Sequence, residues 1–291
     1  MGRAGVAGAV THALLADAVP ADAYGRAYGF ERAMDNLGAI IGPLVALGLV
    51  GVVGVRTAIV VSVVPGLLAA AAIVYAIRHV PRHHAGERQP LRLRVRPVLA
   101  SPVRRVAPGI GLFEIGNVAA TLLILRATEL LTSTRGAATA TSTVLALYVG
   151  YNVAAAVASV PVGRVSDRRG SVGVLAAGAG LFAVAYAGLA ITGPAVAVLG
   201  VCLVVAGVAI GCVETAQHTA VATLAPAEVR GSAFGLLAAT QAFGNLIASS
   251  VAGVLWTLVS PTAAFGYAAV LTAAACVALP PAVERPPDRR R

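Results

Sequence analysis

Charge is scarce in this 291-residue chain, and what there is runs mostly one way. Only 12% of residues are charged, 22 basic against 12 acidic, for a net charge of +10, while 58% are hydrophobic and the mean hydropathy is +0.85. A soluble domain of this composition would have no water-facing surface to offer, so the bilayer must be its solvent. The arginines fall in short connectors between apolar runs, which is the positive-inside pattern and argues against a nucleic-acid partner. Cysteine is equally sparse. Cys202, Cys212 and Cys276 lie inside apolar runs without CxxC spacing, which leaves no disulfide framework and no zinc cluster. The connector histidines His79, His83 and His84 have no carboxylate or thiol at ligand spacing, so a solvated loop touching anionic lipid is expected, with no metal and no cofactor. No Walker sequence is present, GIGLFEIG and GAGLF lack the GxGxxG spacing, and no Ser/His/Asp set assembles around His218. ATP-driven chemistry and a membrane enzyme are thereby disfavoured. The N-terminus has no secretory pattern, and Val6 stands where myristoylation needs Ser or Thr.

What is present is length. A hydrocarbon core about 30 Å thick needs roughly 20 apolar residues per helix, and the sequence supplies that near 30–54, 57–78, 107–131, 140–163, 171–192, 194–223, 232–259 and 262–282. The piece at 4–19, interrupted by His12 and Asp17, reads as the tail of a further helix. The expected fold class is therefore an all-α polytopic membrane protein with about eight complete transmembrane helices plus a partial one. Arginines precede the first full span, crowd the 79–106 linker, follow the fourth span, precede the seventh and end the chain, whereas the alternate connectors are nearly bare. The linker and the C-terminus are thus expected on the cytoplasmic side.

A repeat divides the chain. Residues 20–45 align without a gap on 226–251, Pro20 on Pro226, Gly25 on Gly231, Gly29 on Gly235, Gly38 on Gly244 and Asp22 on Glu228, a shift of 226 − 20 = 206, and His12 falls on His218. That period is too long for a solenoid and fits duplicated multi-helix halves. The expected organisation is a partial first half at 1–78, the basic linker at 79–106, a six-helix second half at 107–282 and a tail at 283–291.

Polar residues discriminate among the spans. Asp35 and Asn36 lie in the first, Glu114 and Asn117 in the third, Asn152 in the fourth, Glu214, Gln217 and His218 in the sixth, and Gln241 and Asn245 in the seventh. Spans 57–78, 171–192 and 262–282 have no Asp, Glu, Asn, Gln or His between their ends and are expected outside as scaffold. Polar groups in hydrocarbon usually face a bundle interior or wet cavity, and the pairs Glu214/His218 and Gln241/Asn245, four apart, each share a helix face. The alternative for each is helix-to-helix hydrogen bonding. For Asp35 the simpler expectation is an in-helix pair with Arg32, and Arg126 with Glu129 is expected to pair at the interface.

Residues 163–170, GRVSDRRG, place Gly163, Asp167, Arg168 and Gly170 in a short turn, where Asp167 can cap the next helix or meet a cation across an interface. The stretch resembles motif A of the major facilitator superfamily. Gly38, Gly42 and Pro43 form a GxxxGP run that resembles that superfamily's antiporter motif C, although Leu44, Val45 and Ala46 replace the glycines that usually follow. The resemblance implies a twelve-helix architecture of which helices 4/5 to 12 are present, with the start of the first half lying before Met1. It further implies a secondary transporter in a bacterial plasma membrane, exporting a small-molecule substrate against protons by alternating access. Glu214 with His218, then Glu114, are the expected coupling or substrate groups, with Asp167 and Arg168 as the gating latch. A non-transporting fragment or assembly partner is the alternative, and the oligomeric state is open.

Overall fold

The computed structural model describes residues 2–79 and 95–279, nearly all of them helical, with no strand among them. In chain order the helices are α1 (Gly2–Ala18), α2 (Tyr24–Val61), α3 (Val63–His79), α4 (Val95–Ala100), α5 (Ala107–Gly116), α6 (Ala120–Arg135), α7 (Ala137–Arg169), α8 (Ser171–Ile191), α9 (Val196–Leu224), α10 (Arg230–Leu258) and α11 (Pro261–Ala278). His83, His84, the linker arginines from Arg82 to Arg94 and the 283–291 tail lie outside the described residues.

Seven helical stretches among those residues are long and apolar enough to cross a membrane. Six of them follow the 79–106 linker: Ala107–Arg135, Ala137–Arg169, Ser171–Ile191, Val196–Leu224, Ala227–Leu258 and Pro261–Ala278. The seventh, Gly48–Ala72, covers the meeting ends of the first two expected spans. Arg26, Glu31, Arg32 and Asp35 delay the apolar stretch in α2, and the break between those spans falls at Gly54 (φ +77), inside a helical run that continues to Val61. Glycine alone adopts that backbone without strain. Gly136 (φ +76) and Gly170 (φ +94) make the tight turns into α7 and α8 in the same way.

Helix α7 is the spine. It packs on α2 with its C-terminal half and on α9 with its middle, because glycines on both partners remove the side chains between the axes. Gly207 and Gly211 of α9 face the carbonyls of Tyr151 and Ala155, while Gly25 and Gly29 of α2 face Gly163 and Ser159. Small residues four apart let membrane helices approach this closely. The expected GxxxGP pair behaves differently: a Cβ added at Gly38 or Gly42 would meet nothing within 4 Å. Further along, α8 packs on α9 and α11, α5 on α10 and α11, and α1 on α10.

Of the three apolar spans expected outside, α3 is the exposed one, with Leu67 and Leu68 both 66% exposed. Helix α8 departs from that expectation, since Phe182, Ala185 and Tyr186 are buried and reach the interior. Residues 95–106 pack under the second half with Val98, Val103 and Val106 buried.

Candidate functional site

The third span is broken at its middle. Asn117, Val118 and Ala119 leave the helix between α5 and α6, which frees backbone carbonyls within the membrane. Tyrosine hydroxyls satisfy two of them: Tyr267 donates to Ile115 O (2.8 Å), and Tyr186 reaches Val118 O (3.5 Å) and Asn117 Oδ1 (3.3 Å). Irregular backbone at this depth is tolerated where protein or a cavity covers it. Here both do.

Around the break lies a cavity of about 220 Å³, lined by His12, Arg32, Phe113, Glu114, Asn117, Ile210, Val213, Glu214, His218, Gln241 and Asn245. A second lobe of about 170 Å³ shares Asn117, Ile210, Glu214 and Asn245 with it and adds Tyr151, Phe182 and Tyr186. Six of the residues expected in a wet interior, Glu114, Asn117, Glu214, His218, Gln241 and Asn245, therefore converge on one space. Glu114 is buried and accepts from Gln217 Nε2 (2.8 Å), and Gln217 Oε1 accepts from Gln241 Nε2 (2.8 Å). Gly244 makes room for this row, since a side chain there would collide with Cβ of Glu114.

Arg32 joins the two halves. Its guanidinium lies 3.3 Å from Asp35 on α2, 3.7 Å from Glu214 on α9 and 3.4 Å from His12 Nε2 on α1. The Arg32–Asp35 pair is present as expected, whereas the contacts to α9 and α1 were not visible from spacing. Asp35 is mostly exposed. Asn152 stands apart from the main cavity, with Nδ2 donating to Tyr148 O and its side chain in a small hollow against Pro43, Ala39 and Ile40 of α2. It belongs to the α2/α7 seam. Arg126 and Glu129 do not pair as expected: Arg126 donates to Leu189 O (3.4 Å), and Glu129 accepts from Trp256 Nε1 (3.2 Å). Longer-range partners on α8 and α10 outcompete a solvated i,i+3 pair.

Below the cavity the halves meet at two places. Asp167, at the end of α7, caps the start of α2: Oδ1 accepts from Gly25 N (2.6 Å), and Oδ2 from Arg26 N (3.1 Å) and Arg26 Nε (3.2 Å). A carboxylate at a helix N-terminus satisfies orphan amides and complements the helix dipole. Asp167 thus bridges to the other half and leaves α8, the next helix, alone. The cation of this contact is Arg26, not Arg168, which is exposed. At the second place Arg230, starting α10, donates to Asp17 at the end of α1 (2.8 Å) and lies over the Tyr24 ring.

A helical membrane bundle with a polar interior cavity has the architecture of a membrane transporter. A sequence profile of the Major Facilitator Superfamily matches residues 1–130 and 110–291, and the chain belongs to that superfamily. It is 27% identical over 273 residues to an uncharacterised MFS-type transporter of Methanocaldococcus jannaschii, covering 93% of this chain and 67% of that protein. The crystal structure of the human organic anion transporter MFSD10 (TETRAN) shares the fold, with a TM-score of 0.69 at 17% identity over 94% of this chain and 67% of that one. Family membership points to a transporter rather than an enzyme.

Proposed function

We propose that the chain forms the transport cavity of a major-facilitator exporter that moves a small molecule outward against proton entry by alternating access. The observation that carries this reading is the placement of Glu214. It lies in the cavity shared by both lobes and faces Arg32 of the other half, above the Asp167 cap that holds the halves together. A carboxylate between a substrate space and a cross-half cation is suited to exchange its proton as that pairing makes and breaks. Glu114, with Gln217, Gln241, Asn117 and Asn245, supplies the remaining hydrogen-bonding surface for substrate. The arginine-rich end, with Arg26, Arg164, Arg168, Arg169 and Arg230, is cytoplasmic by the positive-inside rule.

Proteoliposomes loaded with ethidium or fluorescein, one cation and one anion, test it under an imposed proton gradient. Glu214→Gln is expected to abolish proton-dependent efflux while the protein inserts normally, and unchanged efflux removes Glu214 from the mechanism. A second reading, an assembly partner that completes its cavity with further helices, is favoured by the exposure of α3 and of the α2 face bearing Phe30, Met34 and Ile41. Efflux by the purified chain alone sinks that second reading.

A further inference from the structure

The break between α5 and α6 leaves donors without acceptors. Asn117 N donates to Glu114 O (3.3 Å) and Leu122 N to Ala119 O (2.9 Å), while Ile115 O and Val118 O accept from Tyr267 and Tyr186. The backbone amides in between, those of Val118, Ala119, Ala120 and Thr121, meet no acceptor among the described residues. Ala119, at the start of α6, has no side chain that could cap the helix. An uncapped helix start presents its amides and the positive end of its dipole to whatever lies before it. Here that is the second lobe of the cavity, which Asn117, Val118, Ala119 and Ala120 line. Bare amides are costly away from bulk water, so this lobe calls for an acceptor, and a negatively charged one suits it best.

The first lobe has the opposite shortage. Glu114, 4% exposed and packed against Gly244 of α10, lies on its wall. The carboxylate accepts from the neutral amide of Gln217 (2.8 Å), and no cation stands within 4 Å of it among the described residues. Glu214 differs, since Arg32 faces it at 3.7 Å. A buried carboxylate needs a positive charge or a proton to meet it, so the first lobe calls for a cation. Asn117, Ile210, Glu214 and Asn245 line both lobes, and one molecule can therefore reach both ends. Leu123, Phe182 and Ile210 add apolar wall beside the start of α6.

We propose that the cavity takes a small zwitterion, an apolar amino acid, with its ammonium on the Glu114 carboxylate, its carboxylate on the amides at the start of α6 and its side chain against Leu123, Phe182 and Ile210. A lone organic cation would leave the amides bare, a lone organic anion would leave Glu114 without a counter-charge, and a neutral polyol would bring charge to neither. A half-helix start facing a substrate carboxylate is a device that discontinuous transmembrane helices use. The assignment rests on the reading of the cavity as the transport site, but binding is measured without a gradient. Three probes of one carbon skeleton, L-leucine, isoamylamine without the carboxylate and isocaproate without the ammonium, are titrated by calorimetry into the full chain in lipid nanodiscs. Leucine is expected to bind at least about tenfold more tightly than either analogue, since each charged end adds a charge-assisted contact. Glu114→Gln should remove the preference over isocaproate. Ala120→Pro should cut the preference over isoamylamine by deleting one amide, and its fold should hold, because proline suits the first helical position after an extended residue such as Ala119 (φ −58, ψ 140). Leucine that fails to bind, or binds no better than an analogue, overturns the assignment. So does either preference surviving its variant in a chain that melts like the parent. Leucine binding without proton-dependent leucine efflux from proteoliposomes would leave the site standing and remove the exporter reading, while ethidium or fluorescein efflux with no leucine binding would do the reverse.

Discussion

Helices α2 and α10 descend from the same repeat and use its glycines at different places. At the first shared position, Gly25 of α2 is pressed against Gly163, while a side chain at Gly231 of α10 would meet nothing within 4 Å. Thirteen residues on the order reverses, since Gly38 is open and Gly244 is packed against Glu114. The difference follows from where each helix is crossed. Helix α7 runs along α2 but presses on it most closely at its start, where Asp167 caps it and Gly25 and Gly29 face Gly163 and Ser159, and α5 meets α10 at mid-length, where the cavity needs Glu114. A duplicated segment thus fixes a shared backbone, and the partner helices decide which glycine matters.

The sharpest way to break the comparison is to fill the packed crossings. Gly25→Val should be the most damaging substitution, because its side chain runs into the Gly163 backbone, which has nowhere to relax. About 3 kcal/mol of stability should be lost, at the upper end for overpacking, as judged by unfolding in detergent, while Gly231→Val stays within about 0.5 kcal/mol. Equal losses at the two sites would mean that the shared motif, not the crossing, sets the cost. Gly244→Ala comes next, at about 2 kcal/mol, since even one methyl displaces Glu114 and its bond to Gln217. The two interhalf contacts extend the contrast to charge. Asp167→Asn weakens the bonds to two amides and Arg26 on a half-buried site and should cost about 1–2 kcal/mol. Asp17→Asn removes a surface pair, with Asp17 53% exposed, and should cost under about 1 kcal/mol, less still at high salt. A larger loss at Asp17 than at Asp167 would show that the Arg230 contact, not the cap, holds the halves.

Much of this was legible in the residues, and the unread part has physical reasons. Hydropathy places the crossings because the bilayer imposes a length, and the break it expects after residue 54 coincides with Gly54, where the backbone leaves the helical region although α2 continues to Val61. The interior role of Glu114, Glu214 and Gln241 follows from the expense of polar groups in lipid. The break at Asn117 has no proline to mark it, and its signal lay elsewhere, in Tyr186 and Tyr267 of otherwise apolar spans. Arg32 looked local because Asp35 is three residues away, whereas Glu214, its partner in the other half, is distant in sequence. The alignment of His12 on His218 was visible as repeat evidence, but that the two rings touch depends on both positions lying at the contact between the halves, which only the fold reveals.

Gly38 gives the smallest effect and the most informative sign. A glycine inside a helix costs roughly 0.5–1 kcal/mol relative to alanine, because the unfolded chain loses more freedom on folding. Where the glycine makes a close crossing, that cost is offset by packing. At Gly38 an added methyl would find no neighbour within 4 Å, so no packing offsets the cost. Gly38→Ala should therefore stabilise the chain by up to about 1 kcal/mol, opposite in sign to its counterpart Gly244→Ala. Destabilisation instead would reveal that a further helix packs against this face of α2 in the membrane, and would bring the GxxxGP run back to the close-packing role its spacing suggests.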